Sequence, residues 1–240
     1  MSSGECAVED LWSAFARMRV AEGNLNDRLD LPHLLQLVPN GQGQRALDLG
    51  CGLGQSTFKL AELLGYFVCA VDSDHEMIVQ ARKLYSGSRI EWVESSFKDL
   101  NFGPNSFSLI VSCLSFHFVQ DLAGLLKSCA QWLVDGGKLV FSVRHPIRTS
   151  NPLGQTDQQG KVGWIVVDYF SEMPREFSWL GQRCVNFHRP LSTYFHTLRE
   201  CGFEVEALLE PSLPATTISE QTEESQSVPF FLTFACRKTR

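Results

Sequence analysis

The stretch Ala46-Leu47-Asp48-Leu49-Gly50-Cys51-Gly52-Leu53-Gly54-Gln55 joins an apolar, strand-like run to a helical one. Its glycines allow the backbone to turn tightly and let a ligand lie against it without meeting a Cβ atom. The first turn of the helix that follows presents unpaired N–H groups, which can donate hydrogen bonds to polar atoms of a ligand. The stretch therefore predicts a strand–turn–helix unit that binds a ligand at the turn.

The spacing of the glycines separates two classes of ligand. A dinucleotide-binding turn reads GxGxxG/A, which after Gly50 and Gly52 requires glycine or alanine at position 55. That position is glutamine in this chain. The third glycine is instead Gly54, and Asp48 precedes the first glycine by two positions, so the pattern is DxGxGxG. This spacing argues against a nicotinamide-dependent oxidoreductase.

A second acidic residue lies at the end of the next predicted strand. Asp72 follows Gly54 by 18 residues. In nucleotide-binding α/β folds, a carboxylate about 20 residues after the glycine turn accepts hydrogen bonds from ribose hydroxyls. Together, the turn and Asp72 predict a site for a ribose-containing ligand.

Apolar strand-like runs alternate with helical stretches through the first two thirds of the chain. The predicted strands there are Arg45–Leu49, Phe67–Val71, Ile90–Val93, Phe107–Ser112 and Lys138–Val143, and the predicted helices are Leu31–Val38, Ser56–Leu64, His75–Leu84 and Leu122–Val134. Such an alternation predicts βαβ units and a parallel sheet. The strands are apolar throughout, which indicates a sheet covered on both faces.

The alternation stops after Val143. Residues 144–187 are predicted to be a long irregular insertion, and an insertion of that length is commonly functional. A helix at Leu191–Cys201 and strands at Phe203–Leu209 and Phe230–Cys236 follow, the last two separated by a flexible hairpin loop at Thr216–Ser227. An amphipathic helix at Asp10–Ala21 precedes the first strand.

The predicted fold class is therefore α/β, a doubly wound, seven-stranded, mostly parallel sheet with the last strand antiparallel. We expect one domain over residues 1–240, with N-terminal lid helices at about 8–38 and a substrate-cap insertion at about 144–187.

Composition narrows the range of partners. No run of about 18 apolar residues is present, so no membrane span is expected, and the N-terminal residues lack the pattern of a secretory signal. These features predict a cytoplasmic protein.

The eight cysteines are scattered without a CxxC pair and HExxH is absent, so we expect reduced cysteines and no metal site. A net charge of −6 without a basic cluster argues against nucleic acid or an anionic membrane as partner.

The DxGxGxG turn and Asp72 resemble motif I and the ribose-binding acid of the Rossmann-like, class I S-adenosylmethionine-dependent methyltransferases. The resemblance extends to FSLIVSCLSFHFV at 107–119, to WLVDGGKLVFSVRHP at 132–146 and to the C-terminal third, and it covers residues about 10–237. The C-terminal part is similar to bacterial small-molecule methyltransferases of this group. The resemblance implies the Rossmann-like methyltransferase fold, S-adenosyl-L-methionine as cofactor, and a small-molecule substrate.

The resemblance also implies which residues hold the cofactor. The three glycines of the turn would line its methionine and ribose, Asp72 would hold the ribose, and Leu114 would lie beside the sulfonium. The implied cofactor contacts are Asp48, Gly50, Cys51, Gly52, Gly54, Asp72, Ser73, Met77, Ser96, Phe97, Leu114 and His117. One position departs from the family, since relatives have a Gly-Asp pair near the adenine amine where this chain has Ser95 and Ser96. A hydroxyl is a weaker acceptor than a carboxylate, and Asp99 is the nearest acid.

Four residues are candidates for a catalytic base: His117, His145, Tyr169 and His188. A base assists methyl transfer to a hydroxyl and matters less for a neutral amine. Each candidate has a structural role as the alternative, which for His117 is that of a core histidine bonded to the backbone and for His188 a position at the start of a helix.

The insertion is rich in aromatic residues, which predicts a cap over a planar or apolar substrate; the alternative is that these rings only complete the core. The residues concerned are Trp164, Tyr169, Phe170, Phe177, Trp179, Phe187, Tyr194 and Phe195.

The predicted activity is methyl transfer to an N, O or C atom of a small, planar or aromatic metabolite, by a monomer or homodimer. The alternatives are methylation of RNA or protein and a non-catalytic cofactor-binding module. The sequence SCLSFH stands where enzymes that modify amino groups of macromolecules carry a D/N-P-P-Y/F motif, which disfavours the first alternative.

Overall fold

The computed structural model describes residues 24–158, 161–179, 182–212 and 227–239. The predicted helix at Asp10–Ala21 and nearly all of the predicted loop at Thr216–Ser227 lie outside these residues. The described strands are β1 (Arg45–Leu49), β2 (Phe67–Asp72), β3 (Ile90–Glu94), β4 (Phe107–Cys113), β5 (Leu133–Arg144), β6 (Gln155–Gln158), β7 (Lys161–Trp164), β8 (Pro174–Trp179), β9 (Gln182–Phe187), β10 (Phe203–Leu209) and β11 (Phe231–Lys238). The described α-helices are α1 (Leu31–Gln36), α2 (Gln55–Glu62), α3 (His75–Leu84), α4 (Leu122–Trp132), α5 (Pro146–Ser150) and α6 (Leu191–Glu200).

Seven strands form one sheet in the order β10-β11-β5-β4-β1-β2-β3. Strands β1 to β5 pair in parallel, whereas β11 is antiparallel to both of its neighbours, β5 and β10. The predicted doubly wound, mostly parallel sheet with an antiparallel last strand is confirmed. Strand β5 begins five residues earlier than predicted, because its pairing with β4 continues across an irregularity that contains Gly136.

Two apolar layers cover the sheet, one on each face. One layer joins the sheet to α4 and α6 through buried residues such as Leu126 and Leu198. The other joins it to α1, α2 and α3 through Leu34, Leu60 and Ile78. Successive side chains of a strand point to opposite faces, so strands that are covered on both sides must be apolar throughout.

The insertion after β5 is not irregular, so that prediction is wrong. It contains the short helix α5 and two antiparallel hairpins, β6–β7 and β8–β9. The hairpins were missed because their strands carry many charged and polar residues and lack an apolar run. The β8–β9 hairpin reaches the 3₁₀ turn Phe116–Phe118 that follows β4, and so places the insertion over the end of the sheet.

Seven cysteines in the described ranges are free. Nowhere in the described ranges is a helix long and apolar enough to cross a membrane. Those ranges also hold no group of three or more His, Cys, Asp or Glu side chains placed to bind a metal ion.

Candidate active site

A cavity of about 790 Å³ lies at the carboxyl ends of β1, β2, β4 and β5. Strand β1 pairs with β2 on one side and with β4 on the other. The strands that follow in the chain are therefore added to opposite sides of β1, first β2 and β3, then β4 and β5. Ligands of open α/β sheets bind at such a switch point. The residues that line the cavity come from the glycine turn, the end of β2, the segments after β3 and β4, the end of β5 and the β8–β9 hairpin.

The glycine turn after β1 is shaped by its backbone. The N–H groups of Gly50 and Cys51 both donate to the carbonyl of Val71, at 2.8 and 3.0 Å, which fixes the turn against β2. Gly50 has a φ of +77°, and a Cβ atom there would lie 2.1 Å from the hydroxyl oxygen of Ser115. Only glycine satisfies both the left-handed conformation and this close approach. The turn therefore presents bare backbone to the cavity.

Asp72 lies at the cavity wall, where the end of β2 meets the glycine turn. Its Oδ2 accepts a hydrogen bond from Gly52 N–H at 2.8 Å, and its Oδ1 accepts one from Asp74 N–H at 3.0 Å. Burial raises the pKa of this carboxyl, while the two backbone donors lower it. Carboxylate oxygens accept more than one hydrogen bond each, so Asp72 retains capacity for the hydroxyls of a ligand.

Asp48 does not line the cavity, so the predicted cofactor contact is not made directly by this side chain. It is fully buried behind the turn, where its Oδ2 accepts hydrogen bonds from the hydroxyls of Ser56 and Thr57 at 2.7 and 2.6 Å. Burial raises its pKa to about 6. The side chain therefore fastens the first turn of α2 to β1 and supports the glycine turn from behind.

Ser96, where the sequence departs from the methyltransferases that it resembles, forms a hydrogen-bonded pair with Asp99. Ser96 lines the cavity, and its hydroxyl donates a 2.7 Å hydrogen bond to Oδ2 of Asp99. A hydroxyl that donates to a carboxylate becomes a better acceptor, since hydrogen bonds in a chain polarise one another. Asp99 thus acts on the cavity through Ser96.

The remaining residues predicted to contact the cofactor, apart from Gly54, also line the cavity. They are Cys51, Ser73, Met77, Phe97, Leu114 and His117. Gly54 is the residue before α2, and a Cβ atom there would lie 2.5 Å from the Trp92 ring. It therefore serves the close packing of the turn on β3.

Known proteins share both the sequence pattern and the fold. The family described as "Methyltransferase domain" matches residues 47–141. The structure of an S-adenosylmethionine-dependent methyltransferase from Mesorhizobium loti superposes with a TM-score of 0.80 at 29% identity, over 92% of this chain and 100% of that one. A Listeria monocytogenes protein proposed to be such a methyltransferase superposes with a TM-score of 0.81 at 25% identity, over 88% of this chain and 97% of that one.

The chain belongs to the class I S-adenosylmethionine-dependent methyltransferases. S-adenosyl-L-methionine is its cofactor, and the residues present fit that molecule, because the bare glycine turn and the Asp72 carboxylate meet at one wall of the cavity. Among curated relatives, an uncharacterized protein of Haemophilus influenzae is 29% identical over 85% of each chain.

Other curated relatives of this methyltransferase match over shorter parts of their length. The chain spans 25% of the phosphoethanolamine N-methyltransferase of Triticum aestivum, at 29% identity over 53% of this chain. It spans 43% of the ubiquinone biosynthesis O-methyltransferase of Xanthomonas euvesicatoria, at 35% identity over 42% of this chain.

His117 is the predicted catalytic candidate that the fold brings to the cavity. It lies in the 3₁₀ turn after β4 and is 2% exposed. Its Nδ1 accepts a long hydrogen bond, 3.4 Å, from the N–H of Arg144. Burial, followed by the charges of Arg144 and Arg189, holds the pKa of the imidazole well below its ordinary value. The ring is therefore neutral at physiological pH, and Nε2 carries its hydrogen.

The lowered pKa of His117 predicts a pH dependence of stability. The imidazole of His117 takes up a proton more readily in the unfolded chain than in the folded one. The stability that the neutral, buried ring contributes is therefore lost as the pH falls below about 6.5. We expect His117→Gln to reduce the loss of unfolding free energy between about pH 7.5 and pH 5.5 by about 1 kcal/mol, measured by urea denaturation. His196→Gln, which alters an exposed ring on α6, is the control. An unchanged pH dependence in His117→Gln would contradict the buried neutral ring.

His145 and His188 do not line this cavity, and both of their ring nitrogens are engaged. In His145, Nδ1 accepts from Ile147 N–H at 3.1 Å, which caps α5, and Nε2 bonds Glu210 at 2.8 Å. In His188, Nδ1 bonds the Thr149 hydroxyl at 2.7 Å and Nε2 donates to a backbone carbonyl at 2.8 Å. The catalytic roles predicted for them are therefore withdrawn, since neither has a nitrogen left to take a proton.

Tyr169 is also placed away from the cavity. Its carbonyl accepts the hydrogen bond from His188, and its hydroxyl accepts one from Leu191 N–H at 3.2 Å, at the start of α6. The residue fastens the insertion to the helix that follows it. A smaller cavity of about 300 Å³ borders this region and is lined by His188, Glu172 and Arg189 among others.

Most of the described aromatic side chains predicted to cap the substrate lie away from the cavity. Phe177 on β8 lines the cavity. Trp164 stacks on the guanidinium of Arg148, 4.6 Å from the ring centroid, and Tyr169 packs on His188. Phe170, Phe187, Tyr194 and Phe195 lie away from the cavity, and the side chain of Trp179 lies outside the described part of the structure. Tyr194 is buried and agrees with the alternative that these rings complete the core, whereas Phe170 and Phe195 are exposed and do neither.

Two features of the site were not singled out from the sequence. Arg144 lines the cavity, whereas its neighbour His145, which was singled out, does not. Adjacent residues at a strand end point in opposite directions, and the sequence does not tell which one faces the ligand. The other is Asp30, fully buried, which accepts hydrogen bonds from Ser142 at 2.7 Å and Cys113 at 3.0 Å, and no local signal marks it.

The contacts of Asp30 matter because they extend to the cavity wall. The hydroxyl oxygen of Ser142 accepts a 3.1 Å hydrogen bond from Leu114 N–H, and Leu114 has a φ of +55°. A non-glycine residue in the left-handed region is held there by its surroundings. Leu114 N–H also donates to the carbonyl of Ser142 at 3.1 Å, so Asp30, through the Ser142 hydroxyl, supports one of two hydrogen bonds that hold this residue of the cavity wall.

Proposed function

We propose that this methyltransferase transfers the methyl group of S-adenosyl-L-methionine to an N, O or C atom of a small metabolite. One observation carries the proposal: a single cavity has the glycine turn and Asp72 at one part of its wall and His117, Phe177 and Arg144 at another. Its volume of about 790 Å³ lies within the range of about 300–1,000 Å³ that is typical of small-molecule sites.

The cofactor would lie against the glycine turn. When bound, S-adenosyl-L-methionine supplies an activated methyl group. In the proposed arrangement the backbone of Gly50 and Gly52 allows its close approach, Asp72 accepts hydrogen bonds from its ribose, and Leu114 lies near the sulfonium. Ser96, polarised by Asp99, would accept a hydrogen bond from the adenine amine.

His117 is proposed to orient the acceptor. Its Nδ1 already accepts a hydrogen bond, and the neutral ring then has a hydrogen on Nε2, so Nε2 can donate and cannot take a proton. Alignment of nucleophile and methyl group supplies a large share of the rate in such a displacement. This role replaces the catalytic base predicted from the sequence, and it suits an acceptor whose reactive atom does not need deprotonation.

A planar part of the acceptor would pack against aromatic rings at this end of the cavity. Phe118 and Phe177 both line it, and their rings are nearly parallel, with an interplanar angle of 15° and centroids 6.5 Å apart. Flat apolar rings favour offset stacking with planar groups. The two rings therefore support a planar or aromatic acceptor.

The test is transfer of a labelled methyl group. Three parallel reactions each contain the protein, methyl-tritiated S-adenosylmethionine and one fraction of a single bacterial lysate: its small molecules, its RNA or its protein. We expect label in the small-molecule fraction alone. Label in RNA or protein would support the macromolecular alternative, and S-adenosylhomocysteine binding without transfer to any fraction would support the non-catalytic one. Reactions with Asp72→Ala, in which cofactor binding is disrupted, correct for transfer by contaminating enzymes.

A further inference from the structure

Arg144 is a cation at the cavity wall, and within the part of the chain that the structure describes it has no anionic partner. It is the last residue of β5, and its guanidinium lies 4.7 Å from the centroid of the Phe177 ring. Among the described residues, no hydrogen bond or ion pair involves this guanidinium. Arg144 is half-buried, and a cation with reduced access to water is stabilised by an anionic partner, so its position at the cavity favours an anionic ligand.

The neighbouring arginines differ from Arg144 in this respect. Arg148 donates to the carbonyls of Pro229 and Val228 at 3.1 and 3.4 Å. Arg189 donates to three backbone carbonyls, at 2.7 to 3.2 Å. Both are thereby built into the fold. The guanidinium of Arg144 is left for a ligand.

The acids that line the cavity lie at its other end. They are Asp72, which accepts from Gly52 N–H in the glycine turn, and Asp74, which accepts from Met77 N–H in the first turn of α3. The pKa of the Arg144 guanidinium is affected by burial, by the charge of Arg148 and by the thiol of Cys184, and no carboxylate is among these groups. Burial lowers the pKa of Arg144 to about 10, so the guanidinium remains charged at neutral pH.

We propose that the methyl acceptor carries an anionic group, a carboxylate or a phosphate, which Arg144 binds while the acceptor packs against Phe177. This inference rests on the proposed small-molecule function. Arginine suits the role because its planar guanidinium binds carboxylate and phosphate oxygens in pairs. Because Arg144 N–H also bonds His117, the anion would be anchored next to the residue that orients the reacting atom.

The test uses S-adenosylhomocysteine-loaded protein and three ring probes: benzoate, phenyl phosphate and the neutral benzamide. Calorimetric or NMR titration is expected to show an anion binding at least about tenfold more tightly than benzamide. The preferred anion distinguishes carboxylate from phosphate. Equal binding of all three probes, or no binding of either anion, would overturn the proposal.

Variants assign the anion to Arg144. Arg144→Gln is expected to weaken anion binding at least about tenfold, and Arg144→Lys by less, while both bind S-adenosylhomocysteine within about twofold of wild type. Arg183→Gln removes the same charge from the exposed face of the β8–β9 hairpin and is expected to change neither affinity. Retained anion binding in Arg144→Gln would overturn the proposal.

The cofactor titration separates this inference from the assignments on which it rests. If Arg144→Gln loses affinity for S-adenosylhomocysteine about tenfold, the guanidinium binds the carboxylate of the cofactor, and the proposal is wrong. If wild type binds S-adenosylhomocysteine but neither anion, only the anionic acceptor is lost. A failure of methyl transfer to small molecules, in the labelling experiment, would remove the proposed function itself.

Discussion

Asp72→Ala is expected to weaken the binding of S-adenosylhomocysteine at least about 100-fold. Hydrogen bonds to a charged group contribute about 1.5–3 kcal/mol each, and the variant removes the carboxylate proposed to accept from two ribose hydroxyls. It also removes the acceptor of the Gly52 and Asp74 N–H groups, which lie 2.8 and 3.0 Å from the carboxylate oxygens. The turn and the loop after β2 are thereby released together. Isothermal titration calorimetry measures the affinity.

The controls for Asp72→Ala separate binding from folding. Asp121→Ala removes an exposed aspartate that accepts from Gly124 N–H at the start of α4, and it is expected to leave the affinity unchanged. Asp72→Asn keeps the shape and one acceptor oxygen, and it is expected to lose about tenfold. An affinity of Asp72→Ala within about threefold of wild type, in a protein that unfolds normally, would contradict the placement of the ribose.

Gly50→Ala is expected to lower the free energy of unfolding by about 3 kcal/mol. The left-handed conformation costs an L-residue about 1–2 kcal/mol, and the new Cβ atom at 2.1 Å from the Ser115 hydroxyl adds an overpacking cost of about 1–3 kcal/mol. The variant also fills the space beside the turn, so cofactor affinity is expected to fall at least about tenfold. Urea denaturation and calorimetry measure the two effects.

Gly136→Ala is the matched control, because Gly136 has a φ of +73° but no atom within 4 Å of the position of a Cβ. It is expected to lose about 1 kcal/mol, the conformational cost alone. Adding Ser115→Gly to Gly50→Ala removes the clashing side chain and is expected to recover part of the difference. If Gly50→Ala and Gly136→Ala were equally destabilised, the close approach of Ser115 to the turn would be wrong.

The sequence predicted the elements of the sheet because each depends on its own residues. The bounds of β1, α3 and β10 match the predicted ones, and most other elements differ by one or two residues at an end. The hairpins of the insertion were not predicted, since they are held by pairing between strands that are polar in sequence. Apolar periodicity reports burial, and these strands are largely exposed.

The roles of the polar residues depended on how elements pack against one another. From the sequence, His117, His145 and His188 are three histidines in the same region of the fold. The structure brings His117 to the cavity and gives His145 and His188 partners on both ring nitrogens, supplied by residues 2 to 65 positions away. The role of Asp48 likewise depended on packing, because its side chain accepts hydrogen bonds from two hydroxyls on α2 and does not line the cavity.

The sequence by itself determined the fold class, the glycine turn and the carboxylate at the end of β2, because glycine spacing, apolar runs and strand ends are local properties of the chain. Only the tertiary structure decided which side chain at the end of β5 faces the cavity, which histidine lines it, and which arginine has no anionic partner among the described residues. Those outcomes depend on contacts between residues far apart in the chain, and each is set by the geometry with which the insertion, β4 and β5 pack together.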